Sequence, residues 1–447
     1  MLDESKLRKL AEEALAQAQG YEAELIISAG ESALTRFGDS VITQNVVQGE
    51  AGATIRLMKN GKMGKASTGN LTDKGIKSCV ASAKATLEFS APDAELLPLI
   101  SPQNYQPKAN FEPKTLAFSP EERADAVNRA VARFQKDGCV GAGIFSNGAS
   151  AVAVANSHGL WAYQQKTSSE FSVSAIGSDS SGWAEATDRD AYALDIDGTA
   201  EKAVRKAVAS RKPSSVEPGE WTVVLEPAAV ADAIMYLGWE GFNGKLLVEG
   251  RSPFSSKIGQ KVVGDNITIV DDAWHSMTPG QPFDYEGMPR KRVSLVDKGV
   301  FVGGVHDRVT GALAGVASTG HALPQPDTNG PIPVNLIISA GNSTLEEMIG
   351  STKRGLLVTR FHYTNILDPM KMTITGMTRD GLFLIEDGRV VRGAKNMRFT
   401  ESILAMLSNV ELLSSDLYKT ETFWGGGGTV APAIKVNNFH FTSATEN

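Results

Sequence analysis

Strand-like segments joined by short turns dominate this chain and limit the folds open to it. Four of the Asn-Gly and Asp-Gly dipeptides lie within strand-like segments and have the composition of two-residue hairpin turns. They are Asn60-Gly61, Asn147-Gly148, Asp380-Gly381 and Asp387-Gly388. Such a turn joins neighbouring antiparallel strands. The pattern therefore predicts antiparallel sheets rather than the regular strand–helix alternation of a parallel sheet.

Helical periodicity interrupts the strand pattern, and several helices have recognisable boundary residues. Thr72 is the expected cap of a helix over 72–89. Ser119, Pro120 and Glu122 predict a capping box at the start of the helix that ends near Gly138. Two more helices are expected, at 199–212 with Asp197 or Thr199 as cap, and at 342–355 with Ser343, Glu346 and Gly355 as boundaries. The predicted fold class is α+β.

Two segments divide the chain into regions. Six prolines lie between residues 92 and 120 and predict a linker or a wrapped extended segment, because proline fixes φ and lacks an amide donor. The sequence PSSVEPGE has the composition of a second boundary. The expected parts are an N-terminal α+β domain at 1–90 with antiparallel strands and helices, a proline-rich linker at 91–118, a middle α+β domain at 119–212, a linker at 213–220, and a β-rich C-terminal domain with a few short helices at 221–447.

Composition argues against several classes of function. The chain carries 44 Lys and Arg against 51 Asp and Glu, a net charge of −7, and it has no long basic run. A nucleic-acid-binding role is therefore not expected, since such proteins neutralise phosphates with a basic surface. There is no apolar run of the roughly 18 residues that a membrane helix needs, and no signal-peptide pattern. We expect a cytoplasmic protein whose two cysteines, Cys79 and Cys139, are reduced.

No local catalytic motif is present in the sequence. The six histidines are at 158, 275, 306, 321, 362 and 440, and no two lie closer than 15 residues, so no helix presents a pair of zinc ligands. A G-x-S-x-G nucleophile turn is also missing. The glycine run at 425–428 is interpreted as a turn, because a strand-like segment rather than a helix follows it.

Several segments, taken in order, resemble the TldD/PmbA family. Near the N-terminus these are LTRFGDSVITQN and GATIRLMKNGKMG. They are followed by a DD pair at 271–272, FDYEG at 283–287, DKG at 297–299 and STGHA at 318–322. The C-terminal matches are STLEEMIGSTKRGLLVTRF and TRDGLFLIEDGRVV. Each motif is moderately specific, but their order extends over nearly the whole chain.

The resemblance implies a particular kind of subunit. TldD-type members carry H-E-x-x-x-H on a helix after a VVL strand, and a later Cys as a further zinc ligand. Counted from Val223-Val224-Leu225, the three motif positions hold Met235, Tyr236 and Glu240, and no Cys follows Cys139. The chain thus resembles the PmbA/TldE type, with no metal of its own and with zinc expected in a TldD-type partner. The family implies a dimer that cleaves unfolded or flexible peptides, and it is also named for modulation of DNA gyrase.

Two alternatives to this completing subunit remain open at the level of sequence. The first alternative is a homodimeric peptide-binding scaffold without peptidase activity. The second alternative is an active hydrolase that gathers a metal from His306, His321, His362 or Glu240. The residues expected in a peptide cleft are Trp239, His321, His362 and Tyr363, with Glu240 beside them.

Overall fold

The computed structural model describes residues 3–420 and 428–445 of the chain, and it confirms the α+β class. Strands form two large sheets, and the helices pack against them. Most of the glycine run at 425–428 lies outside the described residues. Within the described residues, no helix is long and apolar enough to cross a membrane.

The N-terminal sheet has six antiparallel strands. They are β1 (Glu22–Gly38), β2 (Val41–Lys59), β3 (Lys62–Thr68), β4 (Val140–Asn156), β5 (Trp161–Ile176) and β6 (Ser181–Asp188). Their order across the sheet is β3-β2-β1-β4-β5-β6. Because β1 pairs with β4 from Glu24–Asn156 to Phe37–Gly143, the regions expected at 1–90 and 119–212 contribute to one continuous sheet.

Helices cover one face of this sheet. They are α1 (Glu4–Gln17), α2 (Asp73–Phe89), α3 (Pro113–Ala117), α4 (Pro120–Lys136) and α5 (Ile196–Ala209). Phe145 and Phe171 face α4 and α5, whereas Ala151 and Ala153 belong to the core under α1 and α2. Alternate residues of a strand share a face, so both cores lie on the same side of the sheet. The opposite face of β5 is polar and carries Lys166, Ser168, Glu170 and Ser172.

The C-terminal sheet has eleven strands. They are β7 (Gly219–Leu225), β8 (Ile269–Asp271), β9 (Val293–Asp297), β10 (Val300–Phe301), β11 (Leu336–Ile338), β12 (Arg354–Asp368), β13 (Thr373–Glu386), β14 (Arg389–Ala394), β15 (Met397–Ser402), β16 (Val410–Thr420) and β17 (Thr429–Ala444). The helices of this region are α6 (Pro227–Tyr236), α7 (Gly244–Val248), α8 (Arg308–Ala314), α9 (Leu345–Gly350) and α10 (Ile403–Ser408). The pairs β7–β12 and β11–β17 are parallel and the others are antiparallel, so the sheet is mixed.

The predicted helix starts differ in how well they match the structure. Thr72 caps α2, and the Ser119–Glu122 capping box starts α4, both as expected. The cap predicted for α5, Asp197 or Thr199, is wrong. Asp195 is the cap, and its side chain accepts the hydrogen bond from the Gly198 amide. For α9 the box is one residue later than expected, at Thr344 and Glu347, and the helix ends at Gly350 instead of Gly355.

Two of the four predicted turns are correct. Asn60-Gly61 joins β2 to β3 with φ of +52° and +72°, and Asp387-Gly388 joins β13 to β14 with φ of +46° and +75°. Positive φ at both central residues is what a type I′ turn requires.

The other two dipeptides lie inside strands, so those predictions are wrong. Asn147 is buried in β4, and its amide donates to the carbonyl of Thr115 at 2.7 Å. A Cβ at Gly148 would lie 2.6 Å from the carbonyl oxygen of Glu31, so close strand packing selects glycine there. Asp380-Gly381 lies where the β12–β13 register shifts, and its positive φ values belong to a bulge.

The proline-rich segment is a wrapped extended stretch held by the C-terminal region. The ammonium of Lys108 donates to the carbonyls of Ala273, His275 and Thr278 at 2.5, 2.7 and 3.0 Å. The Tyr105 hydroxyl donates to the carbonyl of Gly287 at 2.7 Å. These bonds join segments far apart in sequence, so the stretch fixes the N-terminal sheet to the C-terminal region.

We expect Arg123→Leu to destabilise the protein by about 3 kcal/mol or more. Arg123 is 1% exposed, and its guanidinium donates to Thr35 Oγ1, the Phe118 carbonyl, Asn147 Oδ1 and Asn45 Oδ1 at 2.9–3.0 Å. Its removal takes this donor from two buried acceptors, Thr35 Oγ1 and Asn147 Oδ1. Denaturant unfolding followed by circular dichroism measures the effect.

The matched control is Arg129→Leu on the same helix. Arg129 pairs with Asp197 at the surface, where we expect a change below about 1 kcal/mol. Equal destabilisation by the two substitutions would contradict the role of Arg123 as a buried hydrogen-bond hub.

Candidate functional site

Helix α6 follows β7 directly, and its sequence explains its buried position. Pro227 occupies the first helical turn, where no intrahelical amide bond is lost. The following residues are nearly all apolar and buried against β12 and β17. The chain then continues through a wider, π-helical turn over Leu237–Gly241 before Asn243 caps α7.

The first two positions assigned to the metal motif point into the protein core. Met235 is 6% exposed and Tyr236 is 4% exposed, within the largest apolar core of the chain. The Tyr236 hydroxyl donates to the backbone carbonyl of Thr364 in β12. Trp239 packs edge-on against Tyr236 with ring centroids 5.8 Å apart. These contacts give both positions a packing role.

Glu240 is the one carboxylate among the three positions. It lies half-buried on the wider turn and has no hydrogen-bond or ion-pair partner within the described residues. Burial raises its pKa, and the charge of Arg251 partly opposes that shift. Proteins bind zinc through thiolate, imidazole or carboxylate donors, and neither a thioether nor a hydrogen-bonded phenol is one of these. This set of side chains therefore does not fit a zinc ion.

The part of the chain that the structure describes contains no metal-binding cluster elsewhere either. In residues 3–420 and 428–445, no group of three or more His, Cys, Asp and Glu side chains could hold a metal ion. The candidate ligands His306, His321, His362 and Glu240 are thus not gathered into one site.

His362 and Tyr363 lie on an irregular part of β12 next to α6. The β12–β13 register shifts between His362 and Asn365, and Tyr363 has a left-handed φ of +51°. The Tyr363 side chain is 67% exposed, with its ring centroid 4.7 Å from that of His362. The bond from Tyr236 to Thr364 joins this bulge to α6. The structure therefore brings the motif positions, Trp239 and the His362–Tyr363 pair into one region.

His321 does not line a cleft, so that prediction is wrong. Its side chain is fully buried, with Nε2 3.0 Å from Asp271 Oδ1 and Nδ1 2.9 Å from the Thr319 carbonyl oxygen. Burial alone would raise the pKa of Asp271, but the facing His321 and Arg290 outweigh it and lower that pKa. The polar loop around His321 thus folds inward to satisfy a buried carboxylate.

A buried polar cluster that was not predicted as a site lies beside this pair. Asp284 accepts hydrogen bonds from the amides of Glu286, Met288 and Ala322 at 2.9 Å. Burial raises the pKa of Asp284 to about 6. Burial and the charge of Asp284 raise the pKa of Glu286 to about 8, with Arg308 3.8 Å away as a partial counterion. The acidic residues in the otherwise apolar stretch PFDYEGM were the available signal.

A large cavity lies between the polar face of the N-terminal sheet and the C-terminal region. At another part of this face the sheet contacts the C-terminal region directly, where Phe283 packs against Ile26, Val154 and Ala162. The open part encloses about 900 Å³. Its lining includes Ser168, Glu170 and Glu185 of the sheet, together with Met277 and Tyr418 of the C-terminal region. Sequence reasoning missed it, because its walls come from distant segments.

Comparison with known proteins assigns the family. Three family models match in order, described as PmbA/TldA metallopeptidase domain 1 at residues 23–87, central domain at 113–211 and C-terminal domain at 218–443. The chain belongs to the PmbA/TldD family. One curated relative, a metalloprotease TldD homolog of Buchnera aphidicola, is 28% identical over 233 residues, which is 51% of this chain and 47% of that protein. The chain spans about half the length of the curated relatives it matches first.

Solved structures show the same fold for PmbA/TldD proteins over nearly the full length. TldE from Thermococcus kodakarensis superimposes with a TM-score of 0.87 at 22% identity, covering 98% of this chain and 100% of that one. A Thermotoga maritima protein described as a candidate modulator of a DNA gyrase superimposes with a TM-score of 0.86 at 20% identity. The match covers 98% of this chain and 100% of that one. At these identities the likeness concerns the fold.

We expect Glu286→Gln to change how the stability of this family member depends on pH. The folded pKa of Glu286, about 8, lies above its ordinary value of 4.5. The folded protein therefore keeps a proton that the unfolded chain releases. This stabilising contribution is complete below the unfolded pKa and is lost as pH rises through about 8. Between pH 5 and pH 8.5 the free energy of unfolding of the wild type should fall by roughly 2–4 kcal/mol more than that of the variant.

Unfolding free energies measured at several pH values test this expectation. Glu12→Gln, at an exposed position on α1, is the control and should follow the wild-type curve. Parallel curves for the wild type and Glu286→Gln would show that Glu286 is ionised at neutral pH.

Proposed function

We propose that this chain is a PmbA/TldE-type, non-catalytic subunit that completes a TldD-type zinc peptidase acting on unfolded or flexible peptides. The zinc ion of the complex would belong to the partner. The work of this chain would be to enclose the cavity and hold an extended peptide.

The side chains on α6 carry this proposal. Two of the three motif positions hold Met235 and Tyr236, which are buried, and the phenol of Tyr236 is already bonded to Thr364. A hydrolytic zinc site needs several donors and an open coordination position for water. The local structure favours packing at the place where active relatives would hold a metal.

The cavity of about 900 Å³ supports peptide holding. Its walls mix polar side chains such as Ser168 and Glu185 with the ring of Tyr418. An extended peptide can bind such walls largely through its main chain, which tolerates many sequences. The size and polarity of this cavity suit a flexible peptide segment better than a folded domain.

An unpaired strand edge supports assembly with a second subunit. Strand β3 pairs with β2 only from Ala53 to Lys59, so the outer edge of Val41–Gly52 has no strand neighbour within the described residues. Val46 and Val47 are exposed there, and the segment has no Pro or Lys. Monomeric proteins usually protect such an edge, because it readily pairs with another strand.

A homodimeric peptide-binding protein is the second candidate, since the same edge would serve a second copy of this chain. An active hydrolase with its own metal finds less support, because the histidines in question are dispersed over separate elements. Co-purification and metal analysis distinguish the completing subunit, the homodimeric peptide-binding protein and the active hydrolase.

Co-expression with a family subunit that carries H-E-x-x-x-H tests the main proposal. We expect a stable heterodimer that cleaves an unfolded peptide at least about tenfold faster than the partner alone, a gain of about 1.4 kcal/mol in transition-state stabilisation. Full activity of the partner alone would refute the completing role. Recovery of this chain only as a homodimer would favour the scaffold.

Metal content provides a separate prediction. The purified chain should contain no stoichiometric zinc, and Glu240→Gln should not alter that value, because the surrounding donors do not fit the ion. Elemental analysis after dialysis measures the zinc content, with Glu249→Gln at the C-terminal end of α7 as the control. Tightly bound zinc that Glu240→Gln removes would instead support a hydrolase with its own site.

A further inference from the structure

Three neighbouring strands place basic side chains on one face near the β12 bulge. In the register of the sheet, His362 of β12 lies opposite Met377 of β13, which lies opposite Arg398 of β15. Arg360 and Arg379 are directly opposed two residues further along β12 and β13, which is the next pair on the same face. Opposed residues share a face, so these side chains form one patch.

The patch has more positive than negative charge. Asp380 is the carboxylate in direct contact, with one oxygen 3.0 Å from Arg360 Nε and 3.8 Å from Arg379 Nε. Arg398 is exposed and forms no ion pair within the described residues. Asp380 can neutralise only one of these two opposed guanidinium groups, so the other guanidinium and Arg398 leave an excess of positive charge. This local excess of positive charge is opposite in sign to the net charge of the chain, which is −7.

The bulge shapes this patch into a cavity. A volume of about 500 Å³ is lined by His362, Tyr363, Met377, Arg379 and Arg398, among others. The left-handed φ of Tyr363 is uncommon for a bulky residue, and such strained residues cluster at binding sites. The bulge turns the exposed Tyr363 ring to the rim of the cavity, beside His362.

We propose that this cavity binds a carboxylate group of the peptide held by the subunit, with Arg379 and Arg398 as its anchors. The inference rests on the proposed peptide-holding function and adds a preference for one chemical group. Guanidinium groups fit carboxylates closely, because their planar donors can form two parallel hydrogen bonds. A single cavity with few cations does not match nucleic acid, which requires a continuous basic surface.

The carboxylate has two sources, which three labelled unstructured peptides of equal length distinguish. One carries several Asp and Glu and an amidated C-terminus, the second is neutral with a free C-terminal carboxylate, and the third is neutral and amidated. Fluorescence anisotropy with the full-length chain gives each affinity. We expect the acidic peptide, the free-carboxylate peptide or both to bind about five- to tenfold more tightly than the neutral amidated peptide.

Matched substitutions test the anchors. Arg379→Gln with Arg398→Gln should remove the advantage of the carboxylate-bearing peptide and leave the neutral one unchanged. Arg389→Gln with Arg392→Gln makes the same change of charge on exposed β14 positions and should preserve that advantage. The single, exposed Arg398→Gln substitution provides a variant that keeps the fold and should lose part of the advantage.

The failures of the two proposals are distinguishable. Equal affinity for all three peptides, or equal losses in the two double variants, would overturn the carboxylate site and leave peptide holding in place. If no peptide binds, either to the chain alone or to its heterodimer, then peptide holding fails and the carboxylate site fails with it.

Discussion

The C-terminal half of the molecule depends on the hydrogen bonds of one long strand, β17. It pairs with β7, β11, β15 and β16, and its contact with β7 closes a ring with β12, β13 and β15. Closure of this ring of strands fixes the position at which α6 begins after β7. It also fixes the position of the β12 bulge beside α6. Since backbone pairing sets these positions, the region around Tyr236 and Thr364 has little freedom to rearrange.

Sequence reasoning was accurate where a feature is decided by neighbouring residues. The Ser119 capping box and the Asn60-Gly61 turn need only their own backbone geometry, and both occur as expected. Asn147-Gly148 has the same local signal, but a buried amide and a close strand contact decide its structure. The two uses of Asn-Gly differ in tertiary contacts, which a single sequence does not reveal.

The same distinction explains the outcome at the candidate site. Counting from the VVL strand located Met235 and Tyr236 on the helix, because no turn or loop intervenes between them. The glycine- and proline-bearing loop around His321 predicts a cleft residue, yet Asp271, 50 residues earlier, holds the imidazole in the interior. Asp284 and Glu286 were missed for the converse reason, since burial of a carboxylate is visible only after the fold has formed.

The contact between Tyr236 and Thr364 links the two halves of the proposed function. A zinc-binding helix must point its donors toward an open space that admits water and substrate. Here the equivalent helix turns a phenol toward β12, and its hydroxyl satisfies a carbonyl within the bulge. That bond supports the backbone on which His362 and Tyr363 are carried. Helix α6, which carries Met235 and Tyr236, thus braces strand β12 at its bulge.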